Sequence, residues 1–310
     1  EWVQIPAAVY DGSDIGQYPQ PPKPYTDNWK RNDTKIIVLI ASFRETKCKN
    51  TLFNLFTKSA FANRIYVGIV QQNEPNDDED CVYQYCKLMD TDNKYKELTD
   101  ADWNNDNCPY FDHIKVNRML AADAKGPVYA RALQAELVDD EDFCMQIDAH
   151  SDAAPHWDIL MLREWGKCDN EYAVISTYPS NIKDIGRNSN NHWEMPHLCE
   201  AAVLGAGQVR NGRAKAAANL QRPIIAPLWA AGLSFSRCHA EKRVPNDINL
   251  KHVFNGEEFS RGARLWTHGY DIYSPSRAYI GTWYQSEKGN KGSWRVNREE
   301  LNEANQRMAT

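Results

Sequence analysis

The sequence predicts an α/β fold built on an open, mostly parallel β-sheet, and three features support this prediction. Residues 36–42 form a continuous apolar and β-branched run, and residues 64–70 form a second one. Such runs are typical of strands buried on both faces of a parallel sheet. Between them, residues 51–60 carry apolar side chains at helical spacing. Together they make a strand–helix–strand unit, whose crossover should be right-handed.

Composition places the chain among globular proteins and disfavours two classes of partner. Its 310 residues are 42% hydrophobic and 11% aromatic, which is enough for a sizeable core. The net charge of −6 and the pI near 5.8 argue against nucleic-acid binding and against a polybasic membrane anchor. No apolar run approaches the roughly 18 residues that span a bilayer. Because Glu1 is not a natural start, we expect an excised or processed soluble portion, with any signal or membrane anchor outside it.

The eight cysteines leave the redox state open at this point. They include no CxxC pair, which disfavours a zinc ribbon and leaves a choice between several disulfides and scattered free thiols. Cys144 falls within a predicted core strand, so we expect it to be a small buried apolar residue rather than half of a bridge. Residues 32–34 form a glycosylation sequon, which fits a secretory lumen without deciding the compartment.

The first part of the chain is predicted to lie outside the sheet. Residues 1–34 are rich in Pro, Asp, Gly and Tyr, and four prolines between positions 19 and 24 exclude a regular helix or a central strand. We interpret this segment as a stem or as an N-terminal arm wrapped on the domain.

Beyond the first two strands, the sequence predicts a polar insertion followed by a strand and a helix. Residues 74–80 are strongly acidic, and we favour a solvated loop over a cation site because no glycine or turn residue gathers the carboxylates at one point. Residues 110–119 contain a further strand. Pro127 opens a helix whose apolar stripe is formed by Tyr129, Leu133 and Leu137.

Residues 143–152 form the segment around which the predicted site is organised. Phe143, Met145 and Ile147 alternate as in a strand that buries one face, and the run then ends in Asp148 and His150. Ligands of open α/β sheets collect at the carboxyl ends of strands, and an Asp-x-His at such an end can hold a divalent metal. The alternative is that Asp148 caps a turn and His150 is a surface residue.

The second half of the chain continues the alternation of helices and strands. A helix over 157–165, a strand over 173–178 and a tightly turned strand over 227–235 are predicted. Residues 180–222 lack periodicity, and a loop of that length is usually a functional lid or binding loop. A helix beginning near residue 255 carries carboxylates in its first turn, and residues 298–308 suggest a peripheral helix.

Several ordered motifs together resemble a known family. They are GPVYAR at 126–131, QIDAH at 146–150, WD at 157–158, NGEE at 255–258 and RLWTHGYD at 264–271. This set is similar to the polypeptide α-N-acetylglucosaminyltransferases, which include cytoplasmic enzymes that modify hydroxyproline and Golgi enzymes that initiate mucin-type chains. It is distantly similar to the polypeptide N-acetylgalactosaminyltransferases. The resemblance covers about residues 35–285.

The resemblance implies a GT-A fold and a particular chemistry. We expect a retaining, Mn²⁺-dependent transfer of N-acetylglucosamine from a UDP-sugar donor to a hydroxyl of a polypeptide or glycoprotein acceptor, either hydroxyproline or Ser/Thr. It also implies a division into a stem or arm (1–34), a GT-A catalytic domain (35–285) and a peripheral C-terminal segment (286–310). The Golgi or secretory lumen is the expected compartment, with the cytoplasm as the alternative.

Site residues are carried over position by position. The resemblance implies that Asp148 and His150 bind the metal, with Asp148 also facing the donor. It places Arg131 near the donor phosphates, where a fork of N–H donors is useful. It puts Ser42 and Arg44 where this fold receives the nucleotide.

An acidic pair is expected at the catalytic cleft. The resemblance implies that Glu257 and Glu258 line it; the plainer alternative is that both pair with Arg261 along one helix face. Adjacent carboxylates point in different directions, so a glycoside hydrolase, which needs two carboxyls facing one bond, is disfavoured.

One departure from the related galactosaminyl enzymes affects the metal shell. Those enzymes have a further histidine just after the final strand's glycine, whereas Gly281 is followed here by Thr282. His268 is the alternative third ligand, although it could equally line the acceptor groove. If no such ligand exists, a catalytically degenerate module that binds glycans or proteins becomes the competing hypothesis.

The tryptophans divide into two groups by context. Trp229 and Trp266 lie in apolar surroundings and are expected in the core, whereas Trp193 and Trp283 lie in polar loops and are candidates for stacking on sugar or peptide.

Overall fold

The computed structural model describes residues 20–186, 193–205 and 207–284. The first part of the predicted arm and the helix predicted at 298–308 lie outside the described residues. The elements of the first half are, in order, β1 (Ile36–Phe43), α1 (Cys48–Thr57), β2 (Ile65–Asn73), α2 (Cys81–Met89), β3 (Ile114–Leu120), α3 (Pro127–Gln134), β4 (Phe143–Asp148), β5 (Ser151–Ala153) and α4 (Trp157–Lys167).

The second half adds shorter strands and two helices. They are β6 (Ala173–Ser176), β7 (Ser180–Asn181), β8 (Glu194–His197), β9 (Ala201–Val203), β10 (Val209–Asn211), β11 (Lys215–Ala218), β12 (Ile224–Ile225), β13 (Leu233–Arg237), α5 (His239–Arg243), α6 (Glu257–Thr267), β14 (Asp271–Ser274) and β15 (Ile280–Thr282). The segment 180–222, which the sequence leaves without periodicity, therefore contains two antiparallel strand pairs, β8 with β11 and β9 with β10.

The central sheet has eight strands in the order β12-β14-β6-β13-β4-β1-β2-β3. Strands β3, β2, β1 and β4 pair in parallel, β13 is antiparallel to both β4 and β6, and β14 is parallel to β6. The mostly parallel α/β sheet predicted from the sequence is confirmed. Because β13 runs backwards, the residues before it lie at the same edge of the sheet as the residues that follow β1, β4 and β6.

The alternation of β4 divides its side chains between two packed layers. Phe143, Met145 and Ile147 are buried in the main core, as predicted. Cys144 points to the other face, where it is disulfide-bonded to Cys238. The expectation of an unbridged thiol was wrong, because the antiparallel register places Ser236 opposite Cys144 and brings Cys238 within reach.

Two further disulfides lie near the start of the sheet. Cys48 is bonded to Cys81 and Cys86 to Cys108, so that α1, α2 and the polar insertion are cross-linked. Of the cysteines, Cys168 is a buried free thiol and Cys199 an exposed one. The choice left open by the sequence is thus decided largely in favour of disulfides.

The described part of the N-terminal segment packs on the domain. Asn28 donates a hydrogen bond to Asp142 at 2.6 Å, and the backbone N–H of Glu171 donates to the carbonyl of Pro22 at 2.8 Å. The indole of Trp29 packs edge-on against Trp165 and covers Gly166, where a Cβ would lie 2.3 Å from the ring.

The expectation for one of the two core tryptophans needs correction. Trp229 is fully buried as predicted, but Trp266 is 72% exposed because it lies on the outer face of α6. In the acidic loop, residues 75–77 and 79 are exposed as predicted, whereas the side chain of Asp78 is 8% exposed and pairs with Arg44 at 2.7 Å. In the described ranges, no helix has the length and apolar character needed to cross a membrane.

Candidate active site

The carboxyl end of β4 places Asp148 and His150 in a turn that helix α1 holds. Thr51, buried on α1, has its hydroxyl oxygen 2.9 Å from the carbonyl oxygens of both Ala149 and Ser151, which share its single donor hydrogen, and it accepts from the N–H of Ser151 at 3.0 Å. The backbone of the turn is therefore fixed independently of the side chains that it presents.

Arg131 joins two carboxylates that are distant in the sequence. Its Nη2 lies 3.3 Å from Oδ1 of Asp148, and its Nη1 donates to Oε1 of Glu257. The arginine is on α3, which follows its capping residue Gly126 (φ 87°) and begins at Pro127. Burial raises the pKa of Glu257, and the cation of Arg131 partly offsets that rise. The cluster brings two carboxyl groups and one guanidinium together, with Glu257 and Arg131 largely buried and Asp148 partly exposed.

Glu258 is held by a separate set of donors. Tyr178 donates its hydroxyl to Oε2 at 2.6 Å, and the N–H of Ala231 donates to Oε1 at 3.0 Å. Burial raises the pKa of this carboxyl as well, against these two hydrogen bonds. Tyr178 follows β6 and Ala231 precedes β13, so both arrive at the edge where β4 ends.

The two glutamates line one pocket of about 320 Å³. Gly232 forms part of its floor, where an added Cβ would lie 2.8 Å from Pro179 and 3.4 Å from the Asp148 carboxylate. The remaining walls come from β10 and from the segments before α6 and after β15. The lining side chains are those of Arg131, Asp148, Tyr178, Arg210, Asn211, Phe254, Asn255, Glu257, Glu258 and Tyr284.

His150 faces a carboxylate that the sequence reasoning missed. Its Nδ1 lies 3.0 Å from Oε2 of Glu45, in the loop between β1 and α1. Burial lowers the pKa of His150, but Glu45 and the nearby Asp148 outweigh that effect, and the net shift is upwards. Thr282, which stands where the related enzymes have a histidine, is buried with its hydroxyl 3.4 Å from the His150 carbonyl.

The residues predicted to receive the nucleotide lie on the other side of Glu45. Ser42 is buried at the end of β1, and Arg44 adopts a left-handed conformation (φ 48°) with its guanidinium on Asp78. Arg44, Glu45 and the acidic loop surround a second pocket of about 260 Å³. Glu45 therefore separates this pocket from the turn that carries His150.

The contacts of α6 speak against two of the alternatives considered from the sequence, namely His268 as the third metal ligand and the pairing of both glutamates with Arg261. His268 follows the last residue of this 11-residue helix and binds the carbonyl of Arg264, so the helix separates it by about 15 Å from Glu257 and the Asp148 cluster. It is exposed and is not placed as a third metal ligand. Arg261 pairs with Glu241 at 2.8 Å rather than with Glu257 or Glu258, which turn towards the pocket.

Some lining residues carried a signal in the sequence and others did not. Glu45 directly follows Arg44 at the end of a predicted strand. The rule that ligands collect at the carboxyl ends of such strands would therefore have found it. Tyr178 is the last residue of the predicted 173–178 strand. Arg210 and Asn211 come from a segment without periodicity, and nothing in the sequence places them opposite Glu258.

The side chains at the β4 end suit a divalent cation in part. Across residues 20–186, 193–205 and 207–284, no group of three or more His, Cys, Asp or Glu side chains is arranged to hold a metal. Asp148 offers a carboxylate and His150 an imidazole whose Nδ1 already has a carboxylate partner, which is the usual outer arrangement around a metal-bound histidine. Two protein donors of this kind leave positions for phosphate oxygens and water.

Comparison with known proteins places this geometry in context. The family model described as Glycosyltransferase (GlcNAc) matches residues 35–309. No curated protein sequence matches the chain. The GT-A fold predicted from the sequence is confirmed by similarity to a crystal structure of GalNAc-T7 with UDP, GalNAc and Mn²⁺, at 14% identity and a TM-score of 0.55 over 85% of this chain.

The chain spans about half of that relative, covering 46% of the GalNAc-T7 chain. A crystal structure of TarS from S. aureus in complex with UDP-GlcNAc is also similar, at 13% identity and a TM-score of 0.47, with 87% of this chain and 64% of the TarS chain covered.

Proposed function

This chain belongs to the glycosyltransferase (GlcNAc) family, and on that premise we propose that it transfers N-acetylglucosamine from UDP-N-acetylglucosamine to a hydroxyl of a polypeptide. The observation that carries the proposal is the Asp148–Arg131–Glu257 cluster at the carboxyl end of β4, beside a pocket large enough for one sugar ring. The GalNAc-T7 structure that shares this fold was crystallised with UDP, which supports a UDP-sugar as the donor.

The proposed donor extends across both pockets. The nucleoside lies in the pocket beside Arg44, where carboxylates of the acidic loop can accept hydrogen bonds from ribose hydroxyls. The diphosphate crosses the β4 end at Asp148 and His150. The sugar occupies the pocket of Glu257 and Glu258, whose oxygens accept hydrogen bonds from its hydroxyl and amide groups.

Asp148 and His150 would hold a divalent cation, for which Mn²⁺ in the GalNAc-T7 crystal structure is the precedent. A cation bound there supplies charge neutralisation of the departing diphosphate. Arg131 keeps Glu257 and Asp148 from repelling each other and adds a fixed positive charge near the leaving group. Tyr178 and the Ala231 N–H hold Glu258 in one orientation, so its carboxylate is already in place when the sugar binds.

The proposed reaction breaks the bond between the anomeric carbon and the diphosphate oxygen and forms one to the acceptor oxygen. With retention, the acceptor hydroxyl bonds on the face from which the diphosphate leaves. The departing diphosphate is the base nearest to the hydroxyl proton on that face and takes it up as UDP is released. Walls on several sides of the sugar limit competing attack by water.

A compartment follows from the cysteine chemistry. Three disulfides join elements of the catalytic fold, and such bridges persist in oxidising compartments. We therefore place the proposed activity in the secretory lumen, such as the Golgi, rather than in the cytoplasm.

A competing function is a transferase-like module that binds sugar or peptide without turnover. The observation that favours it is Thr282, which packs against the turn of His150 and supplies a weaker metal ligand than histidine.

One assay separates the two functions: UDP release from a panel of UDP-sugars with hydroxyproline and Ser/Thr peptides, with Mn²⁺ and then with chelator. We expect release with UDP-N-acetylglucosamine that requires peptide and Mn²⁺ and is lost in Asp148→Ala. Donor or peptide binding without UDP release from any donor would select the binding module.

A further inference from the structure

We infer that Glu45 is the positioning residue of the cation site, because it fixes the ring orientation and the tautomer of His150. The inference rests on the proposed function in one respect, namely that Asp148 and His150 hold a divalent cation. Neither the resemblance in sequence nor the comparisons assign a role to Glu45, which lies in the loop between β1 and α1.

Both oxygens of the Glu45 carboxylate are engaged. Oε2 lies 3.0 Å from Nδ1 of His150, and Oε1 accepts from the N–H of Lys47 at 2.9 Å. The side chain is only 13% exposed, so it lies in one place rather than moving through solvent. A carboxylate held in this way acts as a rigid acceptor for the imidazole N–H.

The carboxylate determines which nitrogen of His150 bears the proton. A deprotonated carboxylate can only accept, so in the neutral imidazole, the form that binds a cation, Nδ1 carries the hydrogen and Nε2 keeps its lone pair. Within the described part of the chain, Nδ1 is the ring nitrogen that has a hydrogen bond. Nε2 is thereby the nitrogen left to donate to a cation, and the carboxylate makes it a stronger donor.

Other contacts hold the backbone around His150, so Glu45 has a separate task. Thr51 binds the carbonyls on either side, and the N–H of Trp283 donates to the His150 carbonyl at 3.0 Å. Those contacts restrain the position of the Cα atom but leave rotation about the side-chain bonds free. The hydrogen bond to Glu45 is what restrains the ring.

The position of Glu45 in the fold couples the cation site to the pocket beside Arg44. Glu45 lines that pocket while its carboxylate reaches His150. Arg44 turns the chain with its left-handed backbone and is anchored by Asp78, so the loop that delivers Glu45 has a defined path. A nucleotide seated in the pocket therefore touches the loop that orients the cation ligand.

The test compares Mn²⁺ binding by wild type, Glu45→Ala, Glu45→Gln and Glu97→Ala in the presence of UDP. Glu97 is the matched control, since its side chain is 89% exposed, pairs with Lys96 and lines neither of the two pockets. Titration calorimetry gives the affinity, and pulsed electron paramagnetic resonance detects a nitrogen nucleus bound to Mn²⁺. Neither readout requires turnover.

We expect Glu45→Ala to weaken Mn²⁺ binding by about 10- to 100-fold and to diminish the nitrogen signal. Glu45→Gln should lose less affinity and keep the signal, because its amide oxygen still accepts from Nδ1. Glu97→Ala should match wild type. In a His150→Ala background, Glu45→Ala should cause no further loss, because the ring that it orients is gone.

Two results would overturn the inference: unchanged affinity and nitrogen signal in both Glu45 variants, or a wild type with no nitrogen bound to Mn²⁺. If Glu45→Ala fails to fold by circular dichroism, Glu45→Gln decides the matter, alone and in the His150→Ala background. A wild type that shows the signal but transfers no sugar would refute the proposed function and leave the role of Glu45 standing.

Discussion

The guanidinium of Arg131 lies 3.3 Å from the carboxylate of Asp148, which ties helix α3 to the end of β4 at the centre of the site. The same side chain binds Glu257 of α6, so three separate elements meet at one charge cluster. A buried cluster of this kind depends on each member, because removing one partner leaves an uncompensated charge.

Arg131→Met tests this dependence. Two carboxylates would remain without their cation in a site where the side chain of Glu257 is 3% exposed. We expect the sugar-transfer rate to fall by on the order of 100-fold, as when a preorganised charge donor is removed from an active site. Steady-state kinetics with UDP-N-acetylglucosamine is the measurement. Arg31→Met is the matched control, since its side chain is 65% exposed and pairs with Asp33 away from both pockets. Equal kinetics of the two variants would contradict the prediction.

Tyr178→Phe tests the support of Glu258. The change removes a hydroxyl that donates to the carboxylate at 2.6 Å while leaving the ring in place. A hydrogen bond to a charged group contributes about 1.5–3 kcal/mol. We therefore expect the donor KM to rise by about 10-fold or more, because the Glu258 carboxylate in the sugar pocket becomes less ordered. Tyr284→Phe is a useful comparison because its hydroxyl donates to the Pro179 carbonyl in the same pocket. A smaller effect of Tyr178→Phe than of Tyr284→Phe would argue against a special role for Glu258.

The Cys144–Cys238 bridge should stabilise the fold substantially. Its two cysteines are 94 residues apart, and cross-links over long loops restrict the unfolded chain most. We expect the double variant Cys144→Ala, Cys238→Ala to lose about 2–5 kcal/mol in the free energy of unfolding, measured by urea denaturation. Cys168→Ala, which removes a buried but unbridged thiol, should cost less. An equal midpoint for the double variant and wild type would show that the bridge contributes little.

Acid stability should depend on Asp80. This carboxylate accepts from the N–H groups of Val82 and Tyr83 at the start of α2 and from Arg118 and Gln71. Burial acts to raise the pKa of Asp80, but these hydrogen bonds outweigh it and the net pKa is below the usual value.

The sign of the effect follows from that direction. Because the pKa is lower in the folded state, the contribution is fully present above the unfolded value of about 3.9 and is lost as the pH falls through the folded pKa. Between about pH 7 and about pH 2, the urea midpoint of Asp80→Asn should therefore fall less than the midpoint of wild type. The substitution should also lower stability near neutral pH, because a neutral amide pairs less strongly than a carboxylate with the Arg118 guanidinium. If the urea midpoint of the variant changed with pH as it does in wild type, the acid sensitivity would come from other carboxylates.

Local pattern in the sequence was enough to predict the fold class and the position of the site. The apolar runs at 36–42 and 64–70 correspond to β1 and β2, and the alternation of Phe143, Met145 and Ile147 predicted the buried face of β4. Asp148 and His150 were located because a strand that changes abruptly from apolar to acidic has its end at a sheet edge. The strands and the point where β4 ends depend on residues that are neighbours in the sequence, so the periodicity of apolar residues predicts them.

The tertiary structure alone decided which groups face one another. Arg131 and Glu257 are 126 positions apart, and Glu45 and His150 are 105 apart, so no local spacing could pair them. The same holds for the bond between Cys144 and Cys238, which depends on the antiparallel register of β13 against β4.

The length of α6 likewise places His268 away from the site, and the outer face of the helix exposes Trp266 to solvent. The sequence by itself therefore determined the sheet, its polar edge and the acidic and imidazole groups presented there. Only the packing of distant elements decided the partners of those groups, because ion pairs, bridges and pocket walls form between residues that the chain brings together after folding.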